Sequence, residues 1–242
     1  MIISSTEVQN NFGKYLGLVE EEDIIITRNG KKTARLVKYF KNDEYILREG
    51  SSAYSHEGMR VSYEEFLKIS RESENRYEYI DGQIYLLASP KVKHQKILMS
   101  ITISFSSWFK DKNCMPLFSP LDTVLYNGDD PNVVQPDFLL ICDQENIAED
   151  DTYRGTPALV VEILSESTRS KDIIKKLDLY MHSGVNEYWI VNPFSEEVNI
   201  YYFIDREVEK IVTYKKEETA KSVYFKGLEI KLVNIFSGYD GN

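Results

Sequence analysis

The segment "ALVVEILSESTRSKDIIKKLDLYMHSGVNEYWIV" (Ala158–Val191) decides how the chain is read. It opens with a near-continuous apolar run, Ala158–Leu164, of the kind expected of a strand buried on both faces. From Arg169 to His182, Ile173, Leu177, Tyr180 and Met181 recur at helical spacing, and Gly184 supplies a stop. "EYWIV" (Glu187–Val191) is a second short apolar strand. Strand, helix, strand is the grammar of an α/β protein. One residue does not fit. Glu162 stands in the middle of the first strand, where an unpaired carboxylate costs several kcal/mol.

The surrounding sequence extends this frame. "VVQPDFLLI" (Val133–Ile141) reads as another central strand, and it too carries an acid, Asp137 after Pro136. "RYEYIDGQIYLL" (Arg76–Leu87) has Asp81-Gly82 between two strand-like runs, a hairpin signal. Ser62 and Glu65 form a capping box that opens a helix to about Ser70. Ile97, Ile101, Phe105 and Trp108 predict a further helix. "LDTVLYNG" (Leu121–Gly128) reads as a strand, and "VNIYYFI" (Val198–Ile204) with "IVTYKK" (Ile211–Lys216) as a closing hairpin. The expectation is an α/β fold with a mixed central sheet flanked by helices.

The N-terminal residues form a separate pattern. Ser4 and Glu7 make an S-x-x-E capping box, and Val8, Phe12, Tyr15, Leu16 and Val19 follow at helical spacing. "DIIITRNGKKTARLV" (Asp23–Val37) is a hairpin around Asn29-Gly30. A helix and hairpin this small ordinarily dimerises or docks. The expected organisation is a module over 1–43, a linker over 44–58 and the larger domain over 59–242.

Composition narrows the function. The net charge is −10 over 242 residues, whereas a nucleic-acid binder is usually basic. The charge is uneven: residues 1–48 hold eight Lys/Arg against seven acids, so the excess of acid lies in the remainder. No apolar run approaches the ~20 residues of a membrane span, and the N-terminus lacks the basic and apolar regions of a secretory signal. The two cysteines, Cys114 and Cys142, show neither a disulfide framework nor metal spacing. They are expected as packing residues in a reduced cytoplasm.

Asp137 and Glu162 are the candidate chemistry. A lone Asp after proline is ordinarily a turn residue, and a lone Glu in a strand is ordinarily paired. Two on neighbouring elements could offer oxygen ligands to Mg²⁺ or Mn²⁺, which polarises a phosphoryl oxygen and acidifies a bound water. Lys175 and Lys176 lie in the helix that follows, and either could be turned back toward the carboxylates to orient water or stabilise phosphate charge.

"QPD" (Gln135–Asp137) together with "VVEILSESTRSKDIIKKLDLYMHSGVNEYWIVNP" (Val160–Pro193) resembles the Uma-type endonucleases, a branch of the PD-(D/E)-x-K superfamily. The likeness runs from about Met59 to "FKGLEIKLVNIF" (Phe225–Phe236) and includes "RYEYIDGQ" (Arg76–Gln83), "SPKVKHQKI" (Ser89–Ile97) and "GVNEYWIVNP" (Gly184–Pro193). The resemblance implies a restriction-endonuclease-like core and metal-dependent phosphodiester hydrolysis. Asp137 and Glu162 would be the metal ligands, Glu78 a further acid of the site, and His94 a motif residue beside it. The superfamily lysine belongs two residues after the glutamate, where Leu164 stands, and the resemblance moves it to Lys176. Residues 4–16 and 24–37 resemble the Phd/YefM-type antitoxins, which are dimeric and bind operator DNA. That implies a homodimer with Arg28, Lys31 and Lys32 as phosphate contacts, and raises a toxin as partner.

The leading expectation is a dimeric, Mg²⁺-dependent DNA endonuclease. A reading of another class is a DNA-binding regulator or interaction protein on a catalytically decayed nuclease fold, favoured by the −10 charge and by Leu164. A third keeps the fold and changes the substrate to RNA or branched DNA.

Overall fold

A computed structural model describes residues 2–10, 12, 15, 18, 24–28, 31–36, 58–165 and 175–237. The chain divides into two compact units, Met1–Ile46 and Leu47–Asn242.

In the first unit, β1 (Ile2–Ser4) leads into α1 (Ser5–Asn10), followed by β2 (Ile24–Arg28) and β3 (Lys31–Leu36). The Glu7 N–H donates to Ser4 Oγ at 3.2 Å, which caps the first turn of α1. The expected helix and hairpin gain a strand: β1 pairs parallel with β2, and β2 antiparallel with β3. Val8, Tyr15 and Ile24 are the buried centre. The Asn29-Gly30 turn and the linker, Gly58 apart, lie outside the described residues.

The second unit opens with α2 (Tyr63–Glu72), whose capping box is complete: Glu65 N–H donates to Ser62 Oγ and Ser62 N–H to Glu65 Oε2. Then come β4 (Tyr77–Ile80), β5 (Gln83–Leu86), α3 (Val92–Phe109), β6 (Met115–Phe118), β7 (Thr123–Asn127), β8 (Asp130–Val134), β9 (Phe138–Ile141) and β10 (Leu159–Ile163). The chain ends with α4 (Leu177–His182), β11 (Glu187–Asn192), β12 (Glu197–Ile204), β13 (Glu207–Lys215), β14 (Thr219–Lys221), β15 (Glu229–Lys231) and α5 (Leu232–Phe236). Asp81 and Gly82 both take positive φ (51° and 78°), the conformation a two-residue hairpin turn requires.

Two sheets carry the site. One is six-stranded, in the order β13-β12-β11-β10-β9-β6; the other is four-stranded, β5-β4-β8-β7. In the larger sheet β10 and β11 run parallel and the remaining neighbours antiparallel. A parallel pair needs a crossover, and α4 lies in it. The run "VVQPDFLLI", read as one strand, is two: β8 belongs to the small sheet and β9 to the large one. Pro136 sits in the link, where a missing N–H costs no ladder bond.

Alternation sorts the residues of β10 by face. Leu159, Val161 and Ile163 pack with Ile97, Ile101 and Phe105 of α3. Val160 and Leu164 pack on the other face with Leu179 and Tyr180 of α4 and Ile80 of β4. The Phe105 ring meets Phe138 at 4.7 Å and Trp189 at 5.5 Å between centroids, so truncating it to alanine would cost about 3–5 kcal/mol. Among the described residues no helix is long and apolar enough to cross a membrane.

The cysteines depart from expectation. Cys114 and Cys142 are joined by a disulfide. Met115 pairs with Ile141 at the end of the β6–β9 ladder, so the cysteines are the next pair outward. Their Cα atoms are 4.1 Å apart. A separation of 28 residues conceals this, because only the strand register brings the two thiols together.

A third buried glutamate beside Glu78 and Glu162, Glu187, escapes the sequence reading. Its carboxylate accepts from Trp189 Nε1 at 2.5 Å, Ser222 Oγ at 3.0 Å, Val223 N at 2.9 Å and Tyr224 N at 2.7 Å. Burial pushes this carboxyl up, and the donated bonds pull it back. It fastens the loop after β14 to the large sheet. We expect Glu187→Ala to lower unfolding free energy by about 3 kcal/mol, because several buried donors lose their acceptor at once. Glu187→Gln should lose less, since its amide nitrogen need displace only the Trp189 bond; urea titration of both variants checks this.

Candidate active site

A cavity of about 510 Å³ is lined by residues of three elements, β4, α3 and β10, and of the connecting segments, among them Glu78, Asp137, Glu162 and Lys176. Asp137 ends the Gln135–Asp137 link, one residue before β9. Phe138 faces Val161 across the β9–β10 ladder, so Asp137 and Glu162 continue that ladder as the next pair. Cross-strand partners share a face, which sends both carboxylates to the same side of the sheet.

Each carboxylate is held from a different direction. Asp137 Oδ2 accepts from Ile163 N at 2.8 Å and lies 3.1 Å from His94 Nε2, in the first turn of α3. Among the described residues, Asp137 Oδ1 accepts no hydrogen bond. Glu78, buried in β4, accepts at Oε1 from Gln135 N at 3.0 Å. Lys176 then bridges the two glutamates: its Nζ is 2.9 Å from Glu78 Oε1 and 2.7 Å from Glu162 Oε1. It is only 3% exposed. Tyr180, one turn along α4, donates to the same Glu162 oxygen at 2.6 Å. Burial and the Glu162 carboxylate hold the Tyr180 hydroxyl well above the usual phenol range, while Lys176 opposes them. It therefore remains a proton donor.

The two lysines separate cleanly. Lys176 goes to the glutamates, whereas Lys175 donates to Gln83 Oε1 and to the Tyr85 hydroxyl. Leu164 is buried with Val160, Leu179 and Ile190. That position is filled by apolar packing, and the ammonium enters from the next helix. His94 stands against Asp137. Arg28 and Lys31 lie exposed and opposite each other at the end of the β2–β3 ladder. The Lys32 side chain lies outside the described residues.

Three side chains at the site were not singled out from the sequence. Tyr180 was counted only as core, although its position four after Lys176 puts both on one helical face. Gln135 donates its backbone N–H to Glu78 and its side-chain amide to Asp122 Oδ1 at 2.8 Å. Arg76 reaches Gln135 Oε1 at 3.3 Å. No sequence signal distinguishes these last two from ordinary strand-end polar residues.

The donor set suits a hard divalent cation. Among the described residues no three His, Cys, Asp or Glu side chains form a metal cage. Mg²⁺ needs none: one or two carboxylates suffice, with water and substrate phosphate completing its shell. Lys176 offsets one of the two glutamates, so with Asp137 the cluster keeps two formal negative charges.

Residues 63–233 match the profile of the Uma2 family, described as "Putative restriction endonuclease". Residues 1–48 match that of the Phd_YefM antitoxins of type II toxin-antitoxin systems. An uncharacterized protein of Synechocystis sp. is 28% identical over 160 residues, covering 66% of this chain and 83% of its own. The crystal structure of a putative nuclease belonging to DUF820 from Anabaena variabilis superposes with a TM-score of 0.61 at 20% identity. It covers 73% of this chain and 98% of that one, which establishes a shared fold.

Removing the bridging ammonium leaves two buried carboxylates facing each other. Lys176→Met should therefore lose about 3–5 kcal/mol of stability. Adding Glu78→Gln to that variant should recover part of the loss, and comparison of their urea midpoints tests the coupling.

Proposed function

This chain belongs to the Uma2 family of restriction-endonuclease-like nucleases, and from that premise we propose that its larger unit is a divalent-cation-dependent endonuclease hydrolysing DNA phosphodiesters. The observation that carries this reading is the Lys176 ammonium held between Glu78 and Glu162, with Asp137 as the next strand's contribution to the same cavity. A merely structural ion pair would need neither Asp137 beside it nor an opening to solvent.

In this reading Asp137 and Glu162 hold the ion. When bound, a Mg²⁺ or Mn²⁺ ion would neutralise phosphate charge and acidify a water. The protein's own groups do the remainder. Ile163 N–H and His94 fix the Asp137 carboxylate, so that it need not reorganise when phosphate arrives. Tyr180 and Lys176 fix Glu162 in the same way. Lys176 is positioned by two carboxylates, and its ammonium is the group that would orient the attacking water or meet charge developing on a phosphoryl oxygen. Glu78 holds the lysine.

The N-terminal unit is proposed as a dimerisation or DNA-contact module, with Arg28, Lys31 and Lys32 against phosphates and a toxin as a further partner. A dimer would carry two sites and permit cuts in both strands.

Purified full-length protein should nick or linearise DNA in Mg²⁺ or Mn²⁺ and lose activity in EDTA. Asp137→Ala and Glu162→Ala should each slow cleavage by about a hundredfold or more. An Asp137→Ala preparation as active as the wild type would remove this site from consideration. Sedimentation of the full chain should give a dimer, and Arg28→Ala with Lys31→Ala should weaken DNA binding more at low salt than at high salt.

A further inference from the structure

Phe194 lies at the wall of the active-site cavity and is 52% exposed. A solitary surface phenylalanine ordinarily needs no explanation. This one is held in place. Asn192, buried at the end of β11, accepts at Oδ1 from Phe194 N at 3.0 Å and Ser195 N at 3.3 Å. The Pro193 carbonyl accepts from Lys93 Nζ, on α3, at 2.8 Å. Two elements distant in sequence thus fix the backbone that presents the ring, and they hold it outside the apolar core.

Arg76 lines the same cavity. Its guanidinium makes one long hydrogen bond, to the neutral Gln135 side chain at 3.3 Å. Among the described residues no carboxylate pairs with it. In a chain of net charge −10, an arginine without an acid partner next to three carboxylates is an exception. Its planar fork matches a phosphate. Gln135 in turn ties the arginine to Glu78, so the phosphate-binding fork and the catalytic acids share one support.

Recess completes the case. The Asp137 side chain is 17% exposed, and Glu162 lies deeper still. A base inside a duplex is already stacked on its neighbours and has no free face to offer the Phe194 ring. An unpaired base has such a face, and an aromatic ring at the wall would stack it regardless of sequence.

We propose that this cavity binds one unpaired nucleotide, its base stacked on Phe194 and a phosphate held by Arg76, so that the substrate is a single strand or a duplex with an extruded base. The proposal rests on the nuclease reading for its chemistry, but its binding test does not depend on cleavage.

The test uses full-length protein in EDTA and three probes: a single-stranded oligonucleotide with a central 2-aminopurine, the fully paired duplex, and a duplex with an abasic position opposite the 2-aminopurine. The single strand, the abasic duplex or both should bind about tenfold tighter than the paired duplex, with a change in 2-aminopurine emission. Binding by the single strand assigns a single-strand substrate; binding by the abasic duplex alone assigns base extrusion. Phe194→Ala should weaken binding about tenfold and abolish the emission change, while Phe194→Trp retains both. Arg76→Ala should weaken binding and flatten its salt dependence by about one phosphate contact. Equal affinity for all three probes, or an unaltered emission change in Phe194→Ala, overturns the proposal. Cleavage in Mg²⁺, scored separately, distinguishes the two readings. Stacking without cleavage of any probe keeps the subsite and removes the nuclease assignment. Cleavage unaffected by Phe194→Ala and Arg76→Ala does the reverse.

Discussion

Lys176 holds a full positive charge where almost no water reaches it, and two glutamates from different sheets hold it there. Such an arrangement persists only as a whole. Glu162 alone in β10 would be a buried, uncompensated carboxylate, and Lys176 alone at the start of α4 would swing to solvent. Glu78 belongs to the four-stranded sheet and Glu162 to the six-stranded one, so the ammonium also couples the two sheets. Tyr180 adds a donor to the same Glu162 oxygen and thereby spares it a competing orientation. These hydrogen bonds hold Glu162 and Lys176 in one mutual geometry.

The chain reaches that geometry through the Gln135–Asp137 link. Gln135 makes its contacts at the small sheet, with Glu78 of β4 and with Asp122 just before β7, while Asp137 makes its own with Ile163 of the large sheet and His94 of α3. Pro136 between them withholds a backbone donor and so favours the break between β8 and β9. The same three residues therefore divide the sheets and deliver an acid to their junction. Glu187 shows the contrast. It is as buried as Glu162, but the donors on its carboxylate are an indole, a hydroxyl and two backbone amides rather than an ammonium. Burial by itself does not make a carboxylate chemical; its partners and its access to a cavity do.

Much was legible in the chain before any coordinates. The hairpin at Asp81-Gly82, the Ser62–Glu65 cap and the helical face of Ile97, Ile101 and Phe105 are local patterns, enforced by neighbours three or four residues away or by turn sterics. Asp137 and Glu162 stood out because each contradicts the apolar run around it. What was illegible depended on pairing. Cys114 and Cys142 meet through the β6–β9 register, a relation no spacing rule contains. Splitting "VVQPDFLLI" into strands of two sheets required knowing that both sheets exist. Arg76 and Phe194 look like ordinary residues at strand ends until the cavity between them is seen.

The amino-acid sequence by itself determined the α/β class, the hairpins, the helix cap and the two misplaced acids, since hydrophobic period and the cost of burying charge are properties of short windows. Which lysine answers those acids was a tertiary decision. Lys175 and Lys176 are adjacent and chemically identical, and their side chains diverge by about 100° around a helix axis. Only the packing of α4 against β10 and β4 sends one to Glu162 and Glu78 and the other to Gln83 and Tyr85. The leucine two residues after Glu162 is explained in the same terms: its place is filled by core, and the charge arrives from the start of the next helix.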